Sequence, residues 1–303
     1  MIRHFTHINI DKDKWDAAID NAVNGNIYAK SWYLDIVSPG WQALMDEDYK
    51  TIMPLTWRKK FGYKYLFPPF FTQHLGIFSD ETIPASTVEV FLQAIPEDIC
   101  LIEIQLNHLN KLQSSEFKIS ERLTHHLALN HPYEELQKNY SENLKRNLKK
   151  SAQSNLVVTS DFNTKDLITL FRSSKGNDIS TLKNSDYENL EELLYKAQRR
   201  SLLTKLAVNI NNQLAAGVLF LHSNHEYILI FSAVNEEARQ TGAMSLLIDT
   251  FIRSHANEKM NLDFEGSMDA NLARFYKSFG AEEVVYLQIK KNNLPIPIRW
   301  LKQ

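Results

Sequence analysis

The stretch Tyr227-Ile228-Leu229-Ile230-Phe231-Ser232-Ala233-Val234 runs into Asn235-Glu236-Glu237-Ala238-Arg239-Gln240-Thr241-Gly242-Ala243-Met244. The first eight residues form an apolar run of strand length. From about Arg239 to His255 the pattern is that of a long helix, so a buried strand feeds a helix start. A helix start presents unpaired N–H groups and the positive end of a dipole, which suits phosphate oxygens. Upstream, Leu206–Ile210 and Leu214–His222 read as two more strands, with Asn211-Asn212 as a tight hairpin turn between them. Downstream, Asn261–Phe264 is a strand, Asp269–Phe279 a helix, and Val284–Lys290 the last strand.

The same order of elements recurs earlier in the chain. Lys12–Asn24 reads as a helix, with Trp15, Ala18, Ile19, Ala22 and Val23 at helical spacing and Gly25 to end it. A short helix starts near Ser31 and stops before Pro39-Gly40. Tyr49–Arg58 and Tyr63–Phe67 read as strands joined by a turn at Lys59–Gly62. The capping-box pattern Ser86-Thr87-Val88-Glu89 opens a helix closed before Pro96, and Ile99–Leu106 is a buried strand. Tyr49–Leu106 and Leu214–Gly266 thus share the order strand, strand, helix, strand, which implies architectural duplication. The junction is expected near Glu116–Thr124, dividing the chain into domains 1–123 and 124–303. The second half opens with a short strand, His126–Leu129. Pro132 then starts a helix reaching about Ser154, Thr164–Lys175 is a helix ended by Gly176, and Ser185-Asp186-Tyr187-Glu188 caps another to about Ser201.

Composition excludes several classes. Of 303 residues, 44% are hydrophobic and 23% charged, and the net charge is -2, so there is no global attraction to DNA or an anionic membrane. No run is long and apolar enough to span a bilayer, and Met1–Phe5 begins no signal peptide; a cytoplasmic location is the expectation. The single cysteine, Cys100, rules out an internal disulfide or multi-thiolate zinc site and reads as a core thiol. His125-His126 has no evident third ligand, so no metal site is expected.

The block from Leu206 to Gly280 resembles the core of the GNAT acyltransferases. The motif Arg239-x-x-Gly242-Ala243 matches the family's pyrophosphate-binding turn, with Met244 where a small residue is usual. Two further stretches resemble the tandem-domain Fem-type peptidyltransferases. They are Tyr133-Glu134-Glu135-Leu136 through Asn143–Lys150, and Leu262–Ser267 followed by Arg274-Phe275-Tyr276-Lys277-Ser278-Phe279-Gly280. The resemblance implies an α+β fold of two tandem GNAT-like domains, with mixed, mainly antiparallel sheets flanked by helices. It implies a sheet that splays, with Leu214–His222 and Tyr227–Val234 flanking a cleft. The activity implied is transfer of an activated acyl or aminoacyl group to an amine. No cofactor would be bound permanently; acyl-CoA or an aminoacyl-tRNA would serve as co-substrate, and a small molecule or peptide as acceptor. The alternative is a non-catalytic relative that binds a nucleotide-linked or peptide ligand.

Particular residues then follow. Arg239, Gly242 and Ala243 would hold a CoA pyrophosphate. Lys138, Lys145 and Lys149 fall on one helical stripe with Arg146 and Lys150 beside it, five positive charges against Glu142 alone. Lys145, Arg146 and Lys149 would grip phosphate, of a nucleotide or a tRNA end. Asp263 and Glu265 share one side of a period-two strand, and one could take the proton of an acceptor amine. Tyr276 and Lys277 would surround the reacting centre, Lys277 facing an oxyanion. Gly266 would admit substrate closely, with Asn271 and Arg274 on the side of Lys277. The aromatic loop carrying Phe70, Gln73 and His74 would line an acceptor pocket.

Overall fold

The computed structural model describes residues 1–46, 48–113, 116–174 and 182–295. The chain divides into two compact units, Met1–Leu123 with the chain from Val284 on, and Thr124–Glu283.

The first unit contains β1 (Arg3–Phe5), α1 (Lys12–Asn21), α2 (Ser31–Val37), β2 (Gln42–Met45), β3 (Thr51–Leu55), β4 (Trp57–Lys60), β5 (Tyr63–Leu66), β6 (Phe78–Ser79), α3 (Ala85–Gln93), β7 (Ile99–Leu106) and the start of β8 (Lys118–Ala128). One small sheet runs β1-β2-β3-β6. In the other, β4 and β5 form a hairpin and β5 lies parallel to β7, with α3 in the crossover. The expected strand Tyr49–Arg58 is therefore two strands in two sheets. Pro54 is tolerated in β3 because it lies beyond the two residues that pair with β6, where no amide is demanded of it. The hairpin turn falls at Phe61-Gly62, both at positive φ. Helix α3 begins at Ala85 after Pro84, with no side-chain cap, so Ser86 is inside the helix rather than capping it. Cys100 is half-exposed, not a core thiol, because strand alternation turns it away from buried Ile99 and Leu101.

The second unit holds α4 (Tyr133–Lys138), α5 (Glu142–Gln153), β9 (Val158–Thr159), α6 (Thr164–Ser173), α7 (Asn184–Arg199), β10 (Leu203–Ile210), β11 (Gln213–His222), β12 (Glu226–Val234), α8 (Glu236–Gln240), α9 (Ala243–Ser254), β13 (Asn261–Asp263) and α10 (Ala270–Lys277). Its sheet orders as β8-β13-β12-β11-β10-β9. The last strand, β14 (Glu282–Asn292), pairs antiparallel with β7 in the first unit. Each unit thus has a hairpin, a helical crossover to a parallel strand, and an antiparallel strand beyond it. The chain has the mixed α+β architecture that the duplicated pattern implied.

Helix α9 covers one face of the second sheet, in a core with Ala216, Val218, Phe220, Tyr227, Leu229, Leu262 and Phe264. Helix α6 packs on the other; a Cβ on Gly217 would lie 2.7 Å from Leu167 Cδ1. The Asn211-Asn212 turn has both residues at positive φ, as the two-residue hairpin requires.

Two expected helices are broken. The Tyr133–Ser154 helix stops at Lys138 and restarts at Glu142, because the Ser141 hydroxyl accepts from the Leu144 amide and its own amide bonds the Ser278 carbonyl. Lys138 therefore lies on a different helix from Lys145 and Lys149, and the single basic stripe is not formed. The Arg239–His255 helix stops at Gln240 and restarts at Ala243 across Gly242, whose φ is +76°. The cap of α7 also differs: Lys183 is the N-cap, and Asp186 reaches back to its amide. The expected helix end at Lys175-Gly176 lies outside the described residues.

Candidate functional site

Strand β12 is paired with β11 along its whole length, from Ala216↔Val234 to His222↔Tyr227. The opening expected between those two strands is therefore absent. It lies on the other side of β12. Strand β13 is only three residues long and meets β12 only at Glu226–Ile228. From Leu229 to Val234 the β12 edge has left its parallel neighbour. A cleft of about 240 Å³ occupies the gap, mostly apolar, with Leu229, Val234, Met244, Leu272, Phe275 and Tyr276 among its walls. Ser232 and Arg239 bring polar atoms to it.

At the end of β13 the chain turns sharply. Glu265 has φ +53° and Gly266 φ +60°. The Asp263 carboxylate fixes this corner: Oδ1 accepts from the Thr124 hydroxyl at 2.5 Å and from the Glu265 amide at 2.9 Å. Asp269 then caps α10 by accepting from the Asn271 and Leu272 amides. Because Glu265 leaves the extended conformation, it does not continue the alternation that would have set it beside Asp263. Its Oε1 is buried and makes no hydrogen bond. Burial pushes the carboxyl up to about 8. Tyr276 stacks on Phe264, ring centroids 4.9 Å apart. Its phenol is held protonated by burial and, secondarily, by the charge of Glu265. The charge of Glu265 thus acts on the phenol of a residue that lines the cleft.

The other expected residues take varied places. Arg239 reaches the cleft and is paired with Glu236 at 3.1 Å. Gly242 packs where a Cβ would lie 2.5 Å from the Asn147 carbonyl of α5, and Ala243 is wholly buried. The small residues of this turn therefore serve the approach of α5 to α9. Lys145, Arg146 and Lys149 are exposed on α5, with Lys145 bonded to Glu142 and Arg146 to Asn143. Asn271, Arg274 and Lys277 share the exposed side of α10 as their spacing implied, and Lys277 pairs with Glu283 at 3.3 Å. Gly266 is exposed.

Phe70, Gln73 and His74 lie in the first unit. His74 is buried, its Nδ1 3.3 Å from Asn26 Nδ2, with its ring edge-on to Tyr28 and Tyr286. The hollow lined by Gln73 and His74 measures about 10 Å³, room for a water at most.

Some features of the second unit escaped the sequence reading. His125 Nδ1 is 2.8 Å from the Ser267 hydroxyl, and burial lowers this imidazole's pKa. His126, Glu226 and Asp263 converge on one face of the sheet. Strand alternation could have placed His126 opposite Leu127, but the partners are 100 and more residues away and come together only through strand pairing.

Hairpin, crossover helix and diverging parallel strand together define a GNAT-type acyltransferase fold. Residues 138–277 match the model of the acetyltransferase (GNAT) domain family, and the chain shares its fold with solved Fem-type and GNAT-family structures. It is similar to the crystal structure of FemX, with 13% identity, 97% of this chain and 98% of that one covered, and a TM-score of 0.67. It also resembles L-PGS from Bacillus licheniformis, at 8% identity, 96% and 94% coverage and a TM-score of 0.54. A GNAT-family acetyltransferase from Colwellia psychrerythraea gives 12% identity, 96% and 100% coverage and a TM-score of 0.50. No curated protein matches the chain by sequence. Among the described residues no helix is long and apolar enough to cross a membrane.

Proposed function

We propose that the second unit transfers an activated acyl or aminoacyl group to an amine. The observation that carries this reading is the apolar cleft beside the unpaired Leu229–Val234 edge, with Tyr276 in its wall and a buried Glu265 carboxyl whose charge acts on that residue's phenol. The acyl portion of the donor lies in the cleft. An acceptor amine attacks its carbonyl, a C–N bond forms and the bond to the leaving group breaks. Glu265 takes the proton that the amine must lose and passes it to the departing oxygen or sulfur, while Tyr276, which stays protonated, donates a hydrogen bond to the oxyanion. Arg239 supplies positive charge at the cleft for an anionic donor.

One feature favours a donor other than CoA. The helix turn that would receive a pyrophosphate is packed on the Asn147 carbonyl, and Ala243 at its start is buried. The exposed Lys145, Arg146 and Lys149 could then meet the phosphates of a tRNA-borne donor.

The test is a thermal-shift and turnover screen with acyl-CoAs and aminoacyl-tRNAs against amine acceptors, including a Ser232→Trp variant that fills the cleft. A donor should raise the unfolding temperature of the wild type and not of the variant. Equal turnover by the two proteins would remove the cleft from the reaction.

A further inference from the structure

We infer that His126, Glu226 and Asp263 form a binding site for one divalent cation of the zinc class. The inference is independent of the acyl-transfer reading, since none of the three lines the cleft.

Sheet register builds the site. Asp263 on β13 stands opposite His126 on β8 and opposite Ile228 on β12. Glu226, two residues before Ile228, shares its face. Three adjacent strands thus put an imidazole and two carboxylates on the side of the sheet away from the α9 core. One donor atom from each lies within 4.8 Å of the others, and His126 Nε2 is 3.4 Å from Asp263 Oδ2. A shell with metal–ligand distances of roughly 2.0–2.2 Å spans about 4.4 Å at most, so small side-chain adjustments close it.

The surroundings are those of a ligand set. Asp263 is fully buried, and Thr124 and the Glu265 amide hold Oδ1, leaving Oδ2 toward His126. Such outer hydrogen bonds orient metal-binding carboxylates. The Glu226 carboxylate accepts no hydrogen bond among the described residues. Two carboxylates beside one imidazole form an electron-rich nitrogen and oxygen donor set suited to Zn²⁺ or Co²⁺. A cation there would pin β8, β13 and β12 together just before β12 departs to open the cleft.

The experiment uses the full chain, stripped with a chelator and dialysed metal-free. Zn²⁺ is titrated by calorimetry, and Co²⁺ by its visible absorption. The expected result is one saturable equivalent and a raised unfolding temperature. Glu226→Gln, which keeps shape and folding, should weaken binding by 10-fold or more, as should His126→Ala, by roughly the loss seen when a ligand is removed. Thr124→Ala should weaken it roughly 10-fold through Asp263 orientation alone. The chain has ten histidines, so His131→Ala, at an exposed surface pair with Glu135, is the control and should bind as the wild type does. Absence of saturable binding overturns the inference. So does binding that Glu226→Gln and His126→Ala leave unchanged, which would show the cluster to be a proton-sharing group only.

Discussion

Replacing Gly242 with alanine separates two explanations of this glycine. In the GNAT resemblance it lets the backbone approach a phosphate; in the structure it lets α5 approach α9. Its φ is +76°, and an added Cβ would sit 2.5 Å from the Asn147 carbonyl oxygen and 3.2 Å from the carbonyl carbon. The left-handed conformation costs alanine roughly 1–2 kcal/mol. The overlap is with backbone, so no side-chain rotation relieves it, and shifting a packed helix adds about 1–3 kcal/mol. The expected loss is roughly 3 kcal/mol, confined to the second unit. Residues 124–283 contain no tryptophan, so indole fluorescence would miss it. Urea unfolding should be followed by far-ultraviolet circular dichroism, with hydrogen exchange on α5 and α9. Gly242→Asn, which tolerates the left-handed conformation better, should be nearly as harmful because its Cβ meets the same oxygen. Gly217→Ala is the contrast: its neighbour is the end of the flexible Leu167 side chain, so the cost should be smaller. A Gly242→Ala protein as stable as the wild type, yet deficient in ligand binding, would refute the packing argument and restore the phosphate role.

Glu265→Gln should depress turnover by roughly 100-fold or more if the carboxyl is the proton acceptor, measured under saturating substrates. The same substitution tests linkage in chelator-containing buffer. The folded-state value of about 8 exceeds the ordinary 4.5, so the folded form keeps a proton the unfolded chain releases. Stability from this group is present below the ordinary value and falls as pH rises through that window, and Glu265→Gln should remove that slope in urea titrations at several pH values. Asp249 is buried and accepts from the Tyr133 and Tyr140 hydroxyls; Asp249→Ala strands both and should cost roughly 2–4 kcal/mol by denaturation. Ser141→Ala removes the cap of α5 and should cost about 1 kcal/mol, with faster exchange at the Leu144 amide.

What the sequence disclosed and what it hid divide along local and non-local lines. The Asn211-Asn212 hairpin was legible because two residues set its geometry. The strand Tyr227–Val234 and its crossover were legible because the apolar run and the helical pattern are each contiguous. The breaks at Ser141 and Gly242 were hidden. Helical periodicity continues across both; one helix is stopped by a contact from another element, the Ser278 carbonyl bonded by the Ser141 amide, and the other by the left-handed turn at Gly242. The exposed row Asn271, Arg274 and Lys277 was readable from spacing. The Lys277 partner, Glu283, was not, since it lies beyond the end of α10 and the helical spacing does not reach it. The cation cluster was the least legible, because register alone joins its three strands.

The stretch Asp263-Phe264-Glu265 shows how one turn of backbone divides two carboxylates between two surroundings. Had Glu265 remained extended, it would have joined Asp263 and Glu226 on one face, a third buried acid beside a single imidazole. Its positive φ, a strained state costing roughly 1–3 kcal/mol for a residue with a side chain, removes it from that face. The electrostatics record the separation: burial and then the charge of Asp263 raise Glu226, whereas burial alone raises Glu265. Phe264 between them enters the core and stacks on Tyr276, which fixes the corner from the opposite side. The strain is held by the Thr124 and Glu265-amide bonds to Asp263, so the residue that orders the strand end also sets where the acid beside the cleft begins. Substituting Thr124 should therefore loosen both surroundings together, whereas Glu226→Gln should disturb only the first.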